Sequence, residues 1–459
     1  MNLQELLRDF TTQSIPNCEI TGLETTSSRI KDGFLFFAIE GHHADGHAYI
    51  AQAVEAGAVA VIGTRTEVET TVPYLVVEDI RYVLAHVAKR FYQNPSASKC
   101  MIGITGTNGK TTTSFMLKEM LEASGLRCSL FGTVKYEING EEFASLNTTP
   151  DSLQLQQYIH KSQDDVVIME VSSHGIDQRR IEGLEFDYAL FTNLDHDHLD
   201  YHETMEAYFE VKARLFTQLK PSGKAVINTQ NSWGAQLAER LEAQGIEIVN
   251  VPHANLLEER AKTTFPTIKG MHNRFNAAMA WVVAEDMMCT RQLLIQGLHS
   301  FKGVPGRFQL YPLTTGATVV IDYAHTAEAF EFLLQTAKEE GARRIFHVFG
   351  FRGNRDRTKR QKMLDVSTRL SDVVILTVDD LNGLSVEELL AEYDELDYSG
   401  TVIPDRTEAI HAALHHASSG DWIIITGRGV EPYKEIYRHG TTTDDEMVLL
   451  YQQACHAPQ

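Results

Sequence analysis

Short apolar runs alternate with amphipathic helical stretches along the chain. The runs that best indicate buried strands are MIGITG, VVIMEVSS, YALFTNL and KAVINT in the middle of the sequence, and TVVIDYA, RIFHVFG, VVILTV and DWIIITG towards its end. Strands that alternate with helices predict a mostly parallel α/β fold. Two polar breaks, NPSASK at residues 94–99 and KGVPGR at residues 302–307, interrupt the pattern. We therefore expect three domains, at residues 1–98, 99–304 and 305–459, the first a smaller α/β domain and the last doubly wound.

Composition narrows the class of protein. The 459 residues are 43% hydrophobic and 22% charged, which is ordinary for a globular protein. The net charge of −21 argues against nucleic acid or an anionic membrane as the main partner. No apolar run approaches the ~18 residues of a membrane span, so we expect no membrane insertion. Five scattered cysteines without a CxxC pair, and an amphipathic start in place of a signal peptide, predict a cytoplasmic protein.

The stretch GITGTNGKTTTSF carries the clearest candidate chemistry. Gly106 and Gly109 leave room for a phosphate against backbone N–H groups, and the helix expected after them adds its positive end. Lys110 is spaced to reach the β- and γ-phosphates of a nucleotide, and Thr111 or Thr112 to bind Mg²⁺. The alternative interpretation is a plain glycine turn between a strand and a helix, with a surface lysine.

The first glycine of the usual phosphate loop is missing, because Ile104 stands in its place. The block GTNGKTTT after such an apolar residue resembles the ATP site of the Mur ligases and of their folylpolyglutamate synthetase relatives. Further motifs follow in Mur ligase order: SSRI, GHHADG, NTTPDS, MEVSSHGIDQRR, TNLDHDHLDYH, FEVKARLF, GMHNRFN, PGRF, IDYAHT, NRDRTKR and GRGVE. Each motif alone is weak evidence for the family, but the ordered set is specific. The set is most similar to the branch of the family that adds the third residue of the peptide.

This resemblance implies an N-terminal domain for the UDP end of a substrate, a central P-loop-type ATP-binding domain and a C-terminal Rossmann-like domain for an incoming amino acid. It implies ATP and Mg²⁺ as cofactors. ATP would phosphorylate a substrate carboxylate, and the amine of the amino acid would attack the acyl phosphate, releasing phosphate. The partners would be a nucleotide-sugar peptide, UDP-MurNAc-L-Ala-D-Glu, and a free amino acid. The product would be a peptidoglycan precursor, and we expect a monomer.

The resemblance also implies roles for single residues. Positions that match ATP contacts are Gly106, Thr107, Asn108, Gly109, Lys110, Thr111, Thr112, Asn273, Arg307, Asp322 and Arg406. Positions that match catalytic groups or metal ligands are Lys110, Thr111, Glu170, His198 and Lys212, the last as a carbamate. Glu170 also ends an apolar strand, where a Mg²⁺ ligand is expected from the residues themselves. The alternatives are a structural histidine for His198 and a solvated helix lysine for Lys212.

Substrate contacts are implied in three groups. The uridine end would be held by Ser28, His42, His43 and Ala44. The sugar and peptide would be held by Asn147, Thr148, Thr149, Ser172, Gln178 and Arg180. The incoming amino acid would be held by Arg355, Asp379, Asp380, Asn382, Gly427 and Glu431. A turn or cap is the alternative for the NTT stretch, and a solvated charge pair for the two neighbouring arginines.

Departures from the family pattern bear on the substrate. The Asp-Asn-Pro-Arg block of the family's diaminopimelate enzymes is replaced by Asp379, Asp380, Leu381 and Asn382, which removes an arginine and adds a carboxylate. We therefore predict an acidic pocket that favours a basic amino acid such as lysine over diaminopimelate. GRGVE replaces Gly-Lys-Gly-His-Glu, and the stretch at residues 228–270 is short. These changes leave open a Mur-ligase-like paralogue that acts on another carboxylate. A folylpolyglutamate synthetase or a non-catalytic ATP-dependent regulator fits the motifs less well.

Overall fold

The computed structural model describes residues 1–11, 13–41, 44–253, 255–265 and 267–456. These residues pack as two compact units. The first contains residues 1–105, 125–190 and 211–225, and the second contains residues 106–124, 191–210 and the chain from residue 226 onwards. Three mostly parallel sheets with helices against them confirm the α/β class. Within the described residues, no helix combines the length and the apolar content needed to cross a bilayer.

The first sheet is parallel throughout, with the order β1-β2-β3-β4. Its strands are β1 (Gly22–Glu24), β2 (Phe34–Phe37), β3 (Ala58–Gly63) and β4 (Tyr74–Val76). The helices beside it are α1 (Leu3–Leu7), α2 (Ile50–Glu55) and α3 (Ile80–Phe91), with 3₁₀ turns at Ser27–Arg29 and Gly46–Tyr49. Asp79 caps α3 by accepting the backbone N–H of Tyr82. The apolar faces of α1 and α3 bury Leu35, Phe37 and Ile62, which form the core of this sheet.

The second sheet has eight strands in the order β12-β11-β10-β5-β9-β6-β7-β8. The strands are β5 (Cys100–Thr105), β6 (Cys128–Phe131), β7 (Lys135–Ile138), β8 (Glu141–Ala144), β9 (Val166–Glu170), β10 (Phe186–Phe191), β11 (Leu219–Asn228) and β12 (Glu247–Val251). The helices are α4 (Lys110–Ala123), α5 (Ser152–Lys161), α6 (Ser173–Asp177), α7 (Leu199–His202), α8 (Met205–Ala213), α9 (Ser232–Ala243), α10 (Leu256–Ala261), α11 (Met271–Asp286) and α12 (Arg291–Ser300), with 3₁₀ turns at Pro95–Ser98 and Arg214–Gln218. Strands β5 and β9 pair in parallel, with Ile104 opposite Glu170. Glu170 therefore lies at the carboxyl end of β9, next to the carboxyl end of β5, from which the chain continues into the glycine turn.

The third sheet has the order β13-β14-β18-β15-β16-β17, and only its edge strand β13 is antiparallel to its neighbour. The strands are β13 (Gln309–Pro312), β14 (Thr318–Asp322), β15 (Ile345–Phe351), β16 (Val373–Val378), β17 (Thr401–Val402) and β18 (Trp422–Thr426). The helices are α13 (Ala327–Glu339), α14 (Arg360–Leu370), α15 (Val386–Asp394), α16 (Arg406–His416) and α17 (Asp444–His456). Helices α13 to α15 bury one face of the sheet and α16 and α17 bury the other, so the doubly wound prediction is confirmed.

The strand order of the third sheet indicates where a binding crevice is expected. From β15 the chain continues to β16 and β17 on one side, and it then returns to insert β18 on the other side. In such sheets the crevice lies outside the carboxyl ends of the strands, at the point where the strand order reverses. The loops that follow β15, β16 and β18 meet at that point.

Candidate functional site

The glycine turn between β5 and α4 is shaped to hold an anion. Gly106 and Gly109 have φ of +145° and +84°, values that strain any residue with a side chain. A side-chain carbon at Gly106 would overlap Thr192 Oγ1, and one at Gly109 would overlap Asn276 Oδ1. Helix α4 begins directly afterwards at Lys110, so the positive end of its dipole lies at the turn. This arrangement fits a nucleotide phosphate.

Side chains within and beside the turn fix its shape. The Lys110 ammonium donates to the carbonyl oxygens of Gly106 and Thr107, both at 2.8 Å. Asn193 holds the turn from the next segment: its carbonyl accepts the N–H of Thr107 at 3.0 Å, and its Oδ1 accepts the N–H of Asn108 at 2.9 Å. The lysine therefore lies along the loop that a phosphate would occupy.

A cavity of about 310 Å³ lies beside the turn, within the second unit. The predicted ATP-contact residues that line it are Asn108, Gly109, Thr112, Asn273, Arg307 and Asp322. Its apolar wall includes Phe275, Met279, Phe308, Phe332 and Leu333, and its polar wall includes Asn193, Asp195 and Asn231. The volume is at the lower end of the ~300–1,000 Å³ typical of small-molecule sites. An apolar wall next to an anion-binding turn suits a purine nucleotide.

Two aspartates in this cavity differ in role. Asp322 accepts the backbone N–H groups of Phe308 and Ala324, both at 2.6 Å, and so holds the segment that carries Arg307. Asp195, which the sequence interpretation missed, accepts the Asn108 side-chain amide at 3.0 Å. Its burial, and after that the nearby Glu328 carboxylate, raise the pKa of Asp195 to about 6. The signal that could have found Asp195 is its position in the TNLDHDHLDYH block, from which only His198 was chosen.

Arg406 does not line the cavity, contrary to its predicted ATP contact. It is fully buried, and its Nε and Nη2 donate to the two carboxylate oxygens of Asp444, each at 2.7 Å. Nη2 also donates to the carbonyl of Thr426 at 2.9 Å. This bidentate pair joins the start of α16 to the start of α17. Arg406 therefore has a structural role in this geometry.

Glu170 belongs to a buried hydrogen-bond network in the first unit. Its carboxylate accepts the backbone N–H and the hydroxyl of Thr133, both at 3.0 Å. Its backbone carbonyl accepts the Thr149 hydroxyl at 2.9 Å, and Thr149 Oγ1 accepts the N–H of Ser172 at 3.0 Å. The hydroxyls of Thr133 and Thr148 are 3.1 Å apart. The structure thus brings Glu170 together with three residues predicted to hold the sugar and peptide.

Arg180 extends the same network. Its Nη1 donates to the carbonyl of Thr149 at 2.8 Å, and its Nη2 donates to Gln178 Oε1 at 2.8 Å. Asn147 is exposed. Thr148, Thr149, Ser172, Gln178 and Arg180 therefore belong to one polar network, and Arg180 supplies its positive charge. Thr149 is buried and bonds to the backbone of Glu170 and Ser172, which the turn-or-cap alternative for the NTT stretch also explains.

The residues predicted for the uridine end are only partly described. Ser28 is exposed in the 3₁₀ turn Ser27–Arg29, and Ala44 is exposed. His42 and His43 lie outside the described residues. The segment after Ala44 is anchored, because Asp45 Oδ1 accepts the backbone N–H of His47 at 3.0 Å.

The residues matched to metal ligands are divided between the two units: Glu170 and Lys212 belong to the first, and Thr111 and His198 to the second. Lys212 is only 1% exposed, so the solvated-lysine alternative is wrong. Among the described residues, no three His, Cys, Asp or Glu side chains are arranged to hold a metal ion by themselves.

A buried carboxylate that was not predicted, Asp197, gathers cations next to His198. It lies 2.6 Å from Lys359 Nζ, 3.1 Å from His325 Nε2 and 3.5 Å from His198 Nε2. Burial alone would raise the pKa of Asp197, but the positive charges of His325 and Lys359 hold it well below its usual range. The DHDH segment is thereby tied to the loops that follow β14 and β15.

The predicted amino-acid pocket lies where the loops after β15, β16 and β18 meet, and it is not acidic. Asp379 accepts Arg428 Nη1 at 3.2 Å, and Asp380 accepts Lys434 Nζ at 2.7 Å. Burial opposes ionisation of Asp380, but the hydrogen bond from Lys434 keeps the pKa of Asp380 below its usual range. The expectation of an acidic pocket is wrong because the sequence did not reveal that each carboxylate has a cationic partner.

Asn382, which stands where the family's arginine was expected, joins two loops. Its side-chain amide donates to the carbonyl of Gly353 at 2.9 Å, and its own carbonyl accepts the side-chain amide of Asn354 at 3.0 Å. Arg355, in the same loop, is half exposed, and its Nη1 is 3.7 Å from Asp200 Oδ2. Asn382 therefore holds the loops together, while Arg355 remains accessible to a ligand.

An arginine outside the predicted set, Arg352, pairs with Glu431. Its Nη2 donates to Glu431 Oε2 at 2.5 Å and to the carbonyl of Gly427 at 3.3 Å. Its guanidinium carbon lies 5.4 Å from the centre of the Tyr323 ring. Gly427 has φ of +110°, and a side-chain carbon there would overlap Asp379 Oδ2. Arg352 was missed because it lies just before the NRDRTKR block that carried the resemblance.

Three family descriptions match consecutive parts of the chain. Residues 19–92 match "Mur ligase family, catalytic domain", residues 104–265 match "Mur ligase middle domain", and residues 306–429 match "Mur ligase, glutamate ligase domain". The glycine turn lies in the second match and the amino-acid pocket largely in the third.

Curated relatives match along nearly the whole length. The chain is 36% identical over 452 residues to the UDP-N-acetylmuramoyl-L-alanyl-D-glutamate–2,6-diaminopimelate ligase of Fusobacterium nucleatum, which covers 93% of this chain and 92% of that one. It is 35% identical over 459 residues to the ligase of the same name from Bacillus licheniformis, with 94% of each chain covered.

Solved structures share the fold. One described as the structure of a UDP-N-acetylmuramoyl-L-alanyl-D-glutamate–2,6-diaminopimelate ligase matches with a TM-score of 0.66 and 29% identity over 100% of both chains. The MurF ligase from Thermotoga maritima in complex with ADP matches with a TM-score of 0.66 and 18% identity, covering 94% of this chain and 97% of that one. The second likeness shows the fold alone.

Proposed function

The chain belongs to the Mur ligase family, and we propose that it joins an amino acid to UDP-MurNAc-L-Ala-D-Glu. It is an ATP-dependent ligase of peptidoglycan synthesis that forms a carbon–nitrogen bond and releases ADP, with ATP and Mg²⁺ as cofactors. The names of the relatives support UDP-MurNAc-L-Ala-D-Glu as the acceptor. The alternative of a paralogue acting on another carboxylate is not favoured by these relatives.

The observation that carries the proposal is the cavity beside the glycine turn. Its lining unites residues from the turn with Asn273, Arg307 and Asp322, which lie far along the chain. The glycine positions have no room for a side chain, and the positive end of the α4 dipole lies at the turn. These residues fit the triphosphate and the nucleoside of ATP together.

We propose that Lys110 and the turn hold the γ-phosphate while the acceptor carboxylate attacks it. A carboxylate oxygen forms a bond to the γ-phosphorus, the bond from that phosphorus to the bridging oxygen breaks, and ADP leaves. The amine nitrogen then bonds to the acyl carbon, phosphate departs, and the amine proton is lost to solvent. Because both reactants are anions, the main task of Lys110 and Arg307 is charge neutralisation.

Mg²⁺, when bound, would neutralise phosphate oxygens as charge develops on them. We propose Thr111, Glu170, His198 and carbamylated Lys212 as the residues that hold the metal ions. Two observations support this assignment. Thr133 fixes the Glu170 carboxylate with two hydrogen bonds, and Lys212 is buried, where a carbamate would replace an ammonium by an anion.

We propose diaminopimelate as the incoming amino acid. The lysine-like preference expected from the sequence is not confirmed, because the curated relatives carry diaminopimelate in their names. The acidic pocket on which that expectation rested is also absent, since Lys434 pairs with Asp380 and Arg428 with Asp379. A neutral pocket does not penalise the second carboxylate of diaminopimelate.

We propose that the domain boundaries follow the breaks near residues 98 and 304, because each family match falls within one of the three resulting segments. The first domain would hold the UDP end, the second ATP, and the third the amino acid. We further propose a monomer that works in the cytoplasm on a nucleotide-sugar peptide.

The experiment that tests the function is an ADP-release assay with components left out one at a time. We expect ADP only when ATP, Mg²⁺, UDP-MurNAc-L-Ala-D-Glu and an amino acid are all present. Each of the common amino acids, L-ornithine and meso-diaminopimelate is supplied in turn. ADP release in the absence of the acceptor would contradict the proposal. So would the absence of ADP release with every amino acid supplied.

A further inference from the structure

Arg352 is the first residue after β15, the strand at which the order of the third sheet reverses. Its side chain therefore begins at the crevice where such sheets bind ligands. The partners of its guanidinium come from the two neighbouring strand ends. Glu431 and Gly427 follow β18, and Asp379, 3.8 Å from Arg352 Nε, follows β16. The guanidinium thus lies among all three loops of the pocket.

The pair of Arg352 and Glu431 is open to solvent on one side. The Arg352 side chain is 26% exposed and that of Glu431 is 38% exposed. By contrast, the neighbouring pair of Arg428 and Asp379 is buried, with side chains 1% and 2% exposed. Of these two ion pairs, a ligand can therefore reach only the pair of Arg352 and Glu431.

Arg352 also lies next to the nucleotide cavity. The guanidinium carbons of Arg307 and Arg352 lie 4.4 and 5.4 Å from the centre of the Tyr323 ring. Arg307 lines the nucleotide cavity, and Arg352 faces Glu431. Tyr323 is therefore a common neighbour of the two sites, so a group held by Arg352 lies close to the residues that contact ATP.

We propose that Arg352 is a specificity-determining residue, which together with Glu431 binds the end of the amino acid that does not react. An α-amino acid end carries a carboxylate and an ammonium a few ångströms apart, and the two charges match the guanidinium and the carboxylate of this open pair. Arg352 takes the carboxylate through two parallel hydrogen bonds, and Glu431 takes the ammonium. This inference rests on the proposed function and names the group that selects its amino acid.

The consequence is a preference for a molecule with two zwitterionic ends. Diaminopimelate has a carboxylate and an ammonium at each end, so Arg352 gains a partner when the substrate binds. Lysine has only an ammonium at its far end, so Glu431 can take that group but Arg352 gains no new partner. Arg352 thereby supplies the cation that Asn382 cannot supply from its position between the two loops.

The test compares Arg352→Gln with the wild type. Arg369→Gln is the matched control, because Arg369 also pairs with a glutamate, Glu331, but on the exposed side of α14. Initial rates are measured with ATP, Mg²⁺ and UDP-MurNAc-L-Ala-D-Glu, using meso-diaminopimelate and L-lysine separately. A second arm titrates meso-diaminopimelate into each protein in the presence of ADP by calorimetry, which requires no turnover.

The inference predicts that Arg352→Gln lowers kcat/KM for diaminopimelate at least tenfold, mainly through KM, and changes kcat/KM for lysine by less than threefold. It also predicts at least tenfold weaker binding of diaminopimelate in the calorimeter, with Arg369→Gln like the wild type. Equal losses for both amino acids, or no loss for diaminopimelate, would overturn it. If the wild type releases no ADP with any amino acid, the proposed function fails, and calorimetry alone decides the role of Arg352: weaker binding by Arg352→Gln supports it, and unchanged or absent binding overturns it.

Discussion

The proposed nucleotide cavity and the proposed amino-acid pocket lie in the same unit but are built by different means. The cavity depends on backbone geometry, an apolar wall and a helix end, as in Gly106, Gly109 and the start of α4. The pocket depends on paired side-chain charges, such as Arg352 with Glu431 and Lys434 with Asp380. A site made of backbone geometry holds one class of ligand and tolerates few changes. A site made of ion pairs can change its ligand through one substitution.

The largest effect on turnover is expected for Lys110, which lies at the glycine turn proposed to hold the γ-phosphate. Lys110→Ala removes the ammonium that lies along the glycine turn, so kcat for ADP release should fall by about 10³-fold, as when a charge-stabilising donor is lost. The control is Lys118→Ala, because Lys118 lies two turns further along the same helix and pairs with Glu122. Turnover of Lys110→Ala within tenfold of the wild type would remove this residue from the mechanism.

The next effect tests whether Arg406 stabilises the folded state or contacts the nucleotide. Removing one partner of a buried ion pair costs about 3–5 kcal/mol, so Arg406→Ala and Asp444→Asn should both lower the free energy of unfolding by amounts of that order. The folded fraction of each variant should have the same KM for ATP as the wild type. Urea unfolding and ATP titrations measure the two quantities. A raised KM for ATP in Arg406→Ala but not in Asp444→Asn would restore the predicted ATP contact.

A smaller and pH-dependent effect is expected for Asp195. Its pKa in the folded state, about 6, is above the ordinary 3.8, so ionising Asp195 destabilises the native state as pH rises from about 4 through 6. A pKa rise of that size corresponds to a loss of at most about 3 kcal/mol in the free energy of unfolding once Asp195 is ionised. Asp195→Asn should therefore match the wild type in stability near pH 4 and exceed it above pH 7. Urea unfolding at both pH values checks this, and a difference that does not vary with pH would contradict it.

The smallest effect on amino-acid preference is expected at Asn382. This variant tests whether Asn382 helps the pocket to distinguish diaminopimelate from lysine. Asn382 has φ of +45° and donates to Gly353, so Asn382→Ala should cost about 1–2 kcal/mol of stability through backbone strain and the lost hydrogen bond. The ratio of kcat/KM for diaminopimelate over lysine should stay within twofold of the wild type. A change in that ratio as large as the one expected for Arg352→Gln would make Asn382 a substrate contact.

The sequence predicted the strand, glycine turn and helix at residues 100–123 because the signals for them are local. Glycines, a lysine and threonines stand within one strand–turn–helix, and motif order supplied Asn273, Arg307 and Asp322. The doubly wound third sheet followed equally from the alternation of apolar runs and helices. In these regions each residue's role depends mostly on its own segment.

The pocket could not be predicted in the same way, because its charges are set by partners far along the chain. Asp380 appeared to add a negative charge, but Lys434 follows it by 54 residues and pairs with it. Arg406 resembled a ligand contact until Asp444, 38 residues later, was seen to bind it. Arg352 belonged to no motif. Pairings of this kind appear only once the loops are brought together by the sheet.

The most direct test of the account is a competition experiment read by mass spectrometry. The wild-type protein is given ATP, Mg²⁺, UDP-MurNAc-L-Ala-D-Glu and equal concentrations of meso-diaminopimelate and L-lysine, and the nucleotide-peptide products are weighed. The account predicts mainly the diaminopimelate adduct, with one ADP released for each adduct. A product consisting mainly of the lysine adduct, or ADP release without any adduct, would contradict it.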